Sequence, residues 1–118
     1  MQTKNVIHSK SYAFAVRIVK LGQYLVSEKK EFVLSKQVLR SGTAVGALVK
    51  ESEFAQSSSD FIHKLSIAAK EANETHYWIC LLKDTGYLTE QMHQSLEKDS
   101  VELIKLLTSI INTMKNKS

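Results

Sequence analysis

Two short motifs in this chain have the residue types and spacing of half a metal centre. Asp60 precedes His63 by three positions and Glu90 precedes His93 by three, so each acid shares a helix face with its histidine. Two such motifs, with bridging carboxylates from two further helices, hold the metal ions of di-iron carboxylate proteins. Both motifs lie near the beginnings of consecutive predicted helices, which antiparallel packing places at opposite ends of a bundle. Because the first two predicted helices also carry no acid before their last turns, we predict no di-iron site.

A different pair of metal-ligating residues is His76 and Cys80. They are four positions apart and can reach one ion from a single helix face, but no second ligand pair is apparent in the sequence. A thiol within such a helix is usually buried and inert, and a single cysteine cannot form an internal disulfide. We therefore predict no metal and no cofactor.

Signatures of nucleophilic catalysis and phosphate binding are also missing from the sequence. It has no Gly-x-Ser-x-Gly elbow, no glycine-rich phosphate loop and no local cysteine and histidine signature. Four helices joined by short turns offer few loops on which to build an active site. These observations favour a protein that is not an enzyme.

Basic residues are concentrated in the first half of the chain. The net charge is +4, yet residues 1–50 hold nine Lys and Arg against two acids, while residues 51–118 hold seven against ten. Such segregation can steer an anionic partner such as RNA, or make one subunit complementary to the next. A solvated basic surface without a partner is the alternative. If Glu71 and Glu74 pair with Lys36 or Arg40 across helices, less basic surface remains for phosphate.

Four helices are predicted from the apolar periodicity of a chain that contains no proline. A short polar tail, residues 1–8, leads into a first helix that Ser9 or Ser11 caps and that ends near Lys29. The third helix has the cleanest pattern, an apolar heptad that begins after the serine cluster 57–59 and ends before Gly86. The stripe consists of Phe61, Leu65, Ala68, Ala72, Thr75, Ile79 and Leu82. Thr89 is the predicted cap of the fourth helix, which completes an all-α, antiparallel up-down bundle forming one domain, residues 1–118.

The second predicted helix contains a run of small residues at positions 41–47. Gly42 and Gly46 are four apart on one face, and each glycine in a helix interior costs roughly 1 kcal/mol relative to alanine. We predict that this face admits a closely packed helix or a partner.

The last two helices carry more apolar residues than one core face needs. In the fourth helix these are Leu103, Ile104, Leu106, Leu107, Ile110, Ile111 and Met114. Ile62, Ile67, Tyr77 and Trp78 add to the third helix outside its stripe. This surplus indicates self-association, with a wide but ordinary core face as the alternative. No secretion signal or membrane-spanning apolar stretch is evident, so we expect a cytoplasmic protein without a membrane partner.

Several segments along the chain resemble one known family. They are Lys10-Ser11, Phe14-Ala15, the run 31–43 (EFVLSKQVLRSGT), Ala55-Gln56-Ser57, Asp60-Phe61-Ile62, Lys64-Leu65, Lys70-Glu71-Ala72, Glu74-Thr75 and Tyr77-Trp78. Together they resemble the four-helix-bundle protein family encoded in intervening sequences of bacterial 23S ribosomal RNA genes. The resemblance implies an up-down bundle that assembles into a ring-like homopentamer. Similar accessory proteins of diversity-generating retroelements bind a reverse transcriptase and nucleic acid through basic surfaces, which implies a comparable role here.

The function predicted from these observations is a non-enzymatic, self-assembling bundle that binds RNA or another nucleic acid as an accessory or ribonucleoprotein component. In this hypothesis Arg17, Lys20, Lys36 and Arg40 contact phosphates, which gives affinity with little sequence selectivity. The alternative is a structural or protein-interaction scaffold whose basic half docks on the acidic half of the next subunit. Basic residues exposed together would favour RNA, whereas basic residues facing acids across a subunit contact would favour the scaffold.

Overall fold

The computed structural model describes residues 2–117, with side chains from residue 6 onward, as four long helices. They are α1 (Gln2–Ser27), α2 (Leu34–Ser52), α3 (Ser58–Asp84) and α4 (Glu90–Lys117). Each helix packs against the next and α4 packs against α1, which closes an elongated bundle of about 47 × 22 × 19 Å. Short connections make sequential helices antiparallel, and residues 2–117 contain no strand. The predicted all-α, up-down four-helix bundle is confirmed.

The first helix begins earlier than the sequence pattern suggests. It starts at Gln2, so residues 2–8 of the predicted polar tail are helical and the predicted caps at Ser9 or Ser11 are wrong, while residue 1 lies outside the described residues. Ile7 is 2% exposed and continues the buried stripe of α1 by one turn, which rewards the helical conformation of this segment. Ser11 is buried within the helix, where its hydroxyl donates to the His8 carbonyl 3.2 Å away.

The third helix follows its predicted pattern at every buried position. Its buried residues are the seven members of the heptad stripe listed above. Ser57 caps the helix by accepting from the Asp60 amide, 3.0 Å from its hydroxyl oxygen. At the other end Gly86 adopts a φ of 88°, the left-handed conformation that glycine takes without strain. Thr89 caps α4 as predicted, with its Oγ1 3.1 Å from the Met92 amide.

The apolar residues of α4 are largely absorbed by the core. Leu103, Leu107, Ile110 and Ile111 are buried, and the others of the predicted surplus lie partly buried against the same core. The wide-core alternative therefore accounts for α4. Within the described part of the chain, no helix is both long enough and apolar enough to cross a membrane.

The predicted close approach at Gly42 and Gly46 is made by α1. A Cβ atom placed on Gly42 would lie 2.7 Å from both γ carbons of Ile18, and one on Gly46 would lie 3.2 Å from the Ser11 carbonyl oxygen. The two glycines therefore let α1 and α2 approach more closely than a side chain at position 42 or 46 would allow.

An acid in the α1–α2 turn caps the second helix. Val33, at the usual capping position, offers no side-chain hydrogen bond. Instead the carboxylate of Glu31 accepts from the amides of Val33, Leu34 and Ser35 at 3.2, 3.0 and 2.7 Å. Burial alone would raise the pKa of Glu31, but these amides outweigh it and hold the pKa below its ordinary value.

Replacing Glu31 by Gln should destabilise the protein by about 1–2 kcal/mol at pH 7, because the amides lose a charged acceptor. Since folding lowers this pKa, the stabilisation is complete above the ordinary glutamate pKa and is lost as the pH falls through the folded value. Urea unfolding followed by helical circular dichroism, at one protein concentration, should therefore show a wild-type advantage that shrinks below about pH 4. Glu28→Gln is the control, since Glu28 is exposed in the same turn. An equal loss in both variants would contradict the prediction.

Candidate nucleic-acid and subunit interface

The guanidinium of Arg17 is bound to α4 rather than free for a phosphate. Its Nη1 lies 2.6 Å from Asp99 Oδ2 and donates to the Ser95 carbonyl at 3.3 Å, while Nη2 donates to the Ser95 hydroxyl at 3.0 Å. Lys10 lies about two helical turns before Arg17 and pairs with Glu102 at 3.2 Å. These contacts fasten α1 to α4, and because the side chains are more than one-third exposed, each adds little stability.

Arg40 is likewise neutralised within the chain, by two acids of α3. Its Nη1 lies 3.2 Å from Glu71 Oε1, and its Nη2 pairs with the carboxylate of Glu74. Glu74 also accepts a hydrogen bond from the Trp78 indole at 2.9 Å. The suggestion that Glu71 and Glu74 pair with Arg40 is therefore confirmed, and it lowers the basic charge available on α2.

Lys20 and Lys36 remain exposed and make no ion pair to any residue between 6 and 117. They face different grooves, since Lys20 lies with Arg17 beside the α1–α4 groove and Lys36 lines the groove between α1 and α2. The four residues predicted to contact phosphate thus do not form one patch. Two are used inside the bundle, and two stay available on either side of α1.

Two further lysines are exposed in the turn that joins α1 to α2. Lys29 and Lys30 make no ion pair within the described chain, and Lys30 adopts a φ of 53°. We call α1, α2 and the turn between them the hairpin, and we define the hairpin lysines as Lys20, Lys29, Lys30 and Lys36. Residues 1–50 contain two acids, and one of them, Glu31, is committed to the amides of α2. The hairpin lysines therefore have little local counter-charge.

The same hairpin carries most of the exposed large apolar side chains. Of the ten that the described residues contain, eight lie before Arg40, and these are Val6, Tyr12, Val16, Val19, Val26, Phe32, Val33 and Leu39. Val19, Val26 and Leu39 meet in the α1–α2 groove. Most of the exposed large apolar side chains thus lie on α1 and α2, whereas the surplus counted from the sequence lies on α3 and α4.

The chain matches the model of a protein family described as 23S rRNA-intervening sequence protein, over residues 3–109. It belongs to that family. A search of curated proteins found no match. Among solved structures, this intervening-sequence protein is similar to the crystal structure of a protein of unknown function from the S23 ribosomal protein family of Bacteroides thetaiotaomicron. The two are 57% identical with a TM-score of 0.92, over 93% of this chain and 98% of the other.

In this intervening-sequence protein, the sequence indicated the acidic partners of Arg40 but not the partners of Arg17. Glu71 and Glu74 lie three apart on one face of α3, which marks them as a pair for a neighbouring helix. Asp99 and Ser95 carry no such mark, because their approach to Arg17 depends on how α4 is aligned against α1. The arginines of the first half thus pair with acids of the second half within one chain.

Proposed function

We propose that this intervening-sequence protein is a cytoplasmic, non-enzymatic, self-associating bundle that binds RNA or another nucleic acid through its hairpin lysines. The observation that carries the proposal is the set of four exposed lysines without ion pairs among the described residues. Residues 1–50 contain two acids, and since Glu31 accepts from backbone amides, only Glu28 is free to balance these lysines. Lysines of this kind bind phosphates by releasing counterions, independently of sequence. The family's description links its genes to ribosomal RNA, which agrees with an RNA partner.

The surroundings of Cys80 support a non-enzymatic role, because they do not activate its thiol. Burial raises the pKa of the Cys80 thiol, and the neighbouring carboxylates of Glu97 and Asp84 raise it further. A thiol in such surroundings stays protonated near neutral pH, whereas catalytic cysteines sit where a positive charge lowers the pKa. The Asp60 carboxylate is also occupied, since it accepts from the Gln56 amide at 3.1 Å at the start of α3.

Self-association would support the same function, because an oligomer presents several copies of a basic surface whose affinity for RNA is low in one subunit. The apolar groove of Val19, Val26 and Leu39 is suited to a second copy of this chain. Because Lys36 lines the same groove, a ring would present the other three hairpin lysines of each subunit. The homopentamer implied by the family resemblance is our proposed assembly.

Neutralising all four hairpin lysines as glutamines should weaken binding to a synthetic RNA stem-loop and flatten its salt dependence. Each phosphate contact contributes roughly 0.7–0.9 to the slope of log affinity against log salt, so the slope should fall by up to about 3. Filter binding from 50 to 200 mM salt measures this. The matched control changes Lys70, Lys98, Lys105 and Lys117 to glutamine, which removes the same charge from exposed positions elsewhere.

Equal losses in the two quadruple variants, or wild-type binding that ignores salt, would contradict phosphate recognition by the hairpin. The second candidate function, a scaffold whose charges serve subunit contacts, is favoured by one observation: Lys36 lines the apolar groove itself. In that case the hairpin variant should change the mass measured by light scattering while RNA binding is absent from the wild type as well.

A further inference from the structure

Four metal-ligating side chains meet where α3 packs against α4. His76 and Cys80 are one turn apart on α3, His93 and Glu97 are one turn apart on α4, and the antiparallel helices turn these pairs toward each other. The sequence showed the first pair and no apparent second one, and the packing of α3 against α4 brings a second pair beside it. The second pair was missed because its alignment with the first depends on the register between two helices.

Five of the six distances among the four ligand atoms are close to those of a tetrahedral metal site, and His76, Cys80 and Glu97 form a group whose ligand atoms lie within 4.8 Å of one another. Glu97 Oε2 lies 3.0 Å from His76 Nε2 and 3.8 Å from His93 Nε2. Cys80 Sγ lies 3.8 Å from His76 Nε2, 3.6 Å from His93 Nε2 and 3.9 Å from Glu97 Oε2. Ligands bound to zinc at about 2.0–2.3 Å in a tetrahedron stand roughly 3.3–3.8 Å from one another. The atoms of His76, Cys80 and Glu97 therefore accommodate an ion after small side-chain shifts, and His93 approaches two of these three ligands.

His93 directs a weakly bonded ring nitrogen into the cluster from its buried side. The residue is 8% exposed, and its Nδ1 is buried with no hydrogen-bond partner among the described residues. Its Nε2 points into the cluster, where the nearest polar atoms, at 3.6 and 3.8 Å, are too far for strong hydrogen bonds. A metal ion at Nε2 would replace these weak contacts with a coordinate bond and would fix the ring proton on Nδ1.

We propose that His76, Cys80, His93 and Glu97 bind one Zn²⁺ ion per chain and fasten α3 to α4. A thiolate with two imidazoles and a carboxylate suits zinc better than magnesium or calcium, which prefer oxygen ligands alone. Four protein ligands fill the tetrahedron, so the site is structural rather than catalytic. On binding, the Cys80 thiol passes its proton to solvent and its sulfur coordinates the ion as thiolate.

The ion can reach the site directly from solvent. The side chains of His76 and Glu97 are 30% and 38% exposed, so they form the open side of the cluster, while His93 closes its inner side. In the metal-free protein the hydrogen bond between His76 and Glu97 holds the site together. Zinc replaces this bond with two coordinate bonds, and binding to the folded state alone must stabilise the bundle.

The test titrates the chelator-stripped full-length protein with Zn²⁺ by calorimetry and with Co²⁺ by absorbance. We expect one ion per chain, a thiolate-to-cobalt charge-transfer band with the strong visible bands of tetrahedral cobalt, and a higher melting temperature with zinc. Cys80→Ser should abolish the charge-transfer band, and His76→Gln should weaken zinc binding by more than tenfold. Both positions are half-buried, and circular dichroism checks that the variants keep their helices.

His63→Gln is the matched control, because His63 lies on the same helix but is exposed and outside the cluster. It should leave zinc affinity, cobalt spectrum and melting shift unchanged. The proposal is overturned if the stripped protein takes up no zinc, if cobalt binds without a thiolate band, or if His63→Gln weakens binding as much as His76→Gln. RNA binding enters none of these measurements, so this proposal and the proposed function stand or fall separately.

Discussion

Gly42→Ala should destabilise the bundle by about 1–3 kcal/mol, although alanine is the better helix former. The new Cβ atom would lie 2.7 Å from both γ carbons of Ile18, and Ile18 is fully buried. A β-branched side chain in a helix has few other rotamers, so α1 and α2 must move apart to relieve the overlap. This cost exceeds the roughly 1 kcal/mol that alanine gains in helix propensity. Urea unfolding at one protein concentration measures the difference.

Gly22→Ala is the matched control for this substitution. A Cβ atom on Gly22 would meet only Leu39 Cδ1 at 3.9 Å, an ordinary contact, so this variant should be more stable by up to about 1 kcal/mol. Gly46→Ala, at 3.2 Å from a backbone oxygen, should fall between the two. If Gly42→Ala is as stable as Gly22→Ala, the glycines do not set the distance between α1 and α2.

Placing charges in the α1–α2 groove should dissociate the assembly that we propose. Val19 and Leu39 are 40% and 38% exposed, so glutamates at both positions remain hydrated in an isolated subunit. The groove contains one lysine, Lys36, which can pair with one of them, so the other is buried unpaired when a second copy covers the groove. An unpaired buried charge costs about 3 kcal/mol or more, equivalent to a hundredfold or greater weakening of association. Light scattering should show the mass falling from a multiple of 13.3 kDa to that value.

Phe54→Glu controls for the effect of charge on an exposed apolar residue. Phe54 is 80% exposed but lies in the turn between α2 and α3, at the opposite end of the bundle from the α1–α2 turn. The control should keep the wild-type mass. An unchanged mass for the groove variant, with helicity retained, would show that subunits do not meet at this groove.

Much of the fold could be read from the sequence because its signals are local. The seven buried positions of α3 follow from an apolar heptad, since only a stripe at that spacing can face one neighbour along a helix. Ser57, Gly86 and Thr89 mark helix ends through the hydrogen bonds and backbone angles that those residue types permit. The glycines of α2 indicated a close contact, because close packing against a neighbour is what offsets the low helix propensity of glycine.

The sites depended on distances that no local pattern encodes. Arg17 and Arg40 looked free for phosphate, yet α4 and α3 place Asp99, Glu71 and Glu74 beside them. The start of α1 was misjudged for a related reason, because the burial that extends the helix comes from its neighbours.

The cluster of His76, Cys80, His93 and Glu97 shows most clearly which features the sequence determines and which the packing determines. Spacing along one helix revealed each pair's shared face, but whether the two faces meet depends on the sliding register of α3 against α4. That register is set by how whole rows of core side chains interlock, and a shift of one turn would separate the pairs by about 5 Å. Sequence therefore determined the helices and their buried faces, and packing alone decided which polar residues became neighbours.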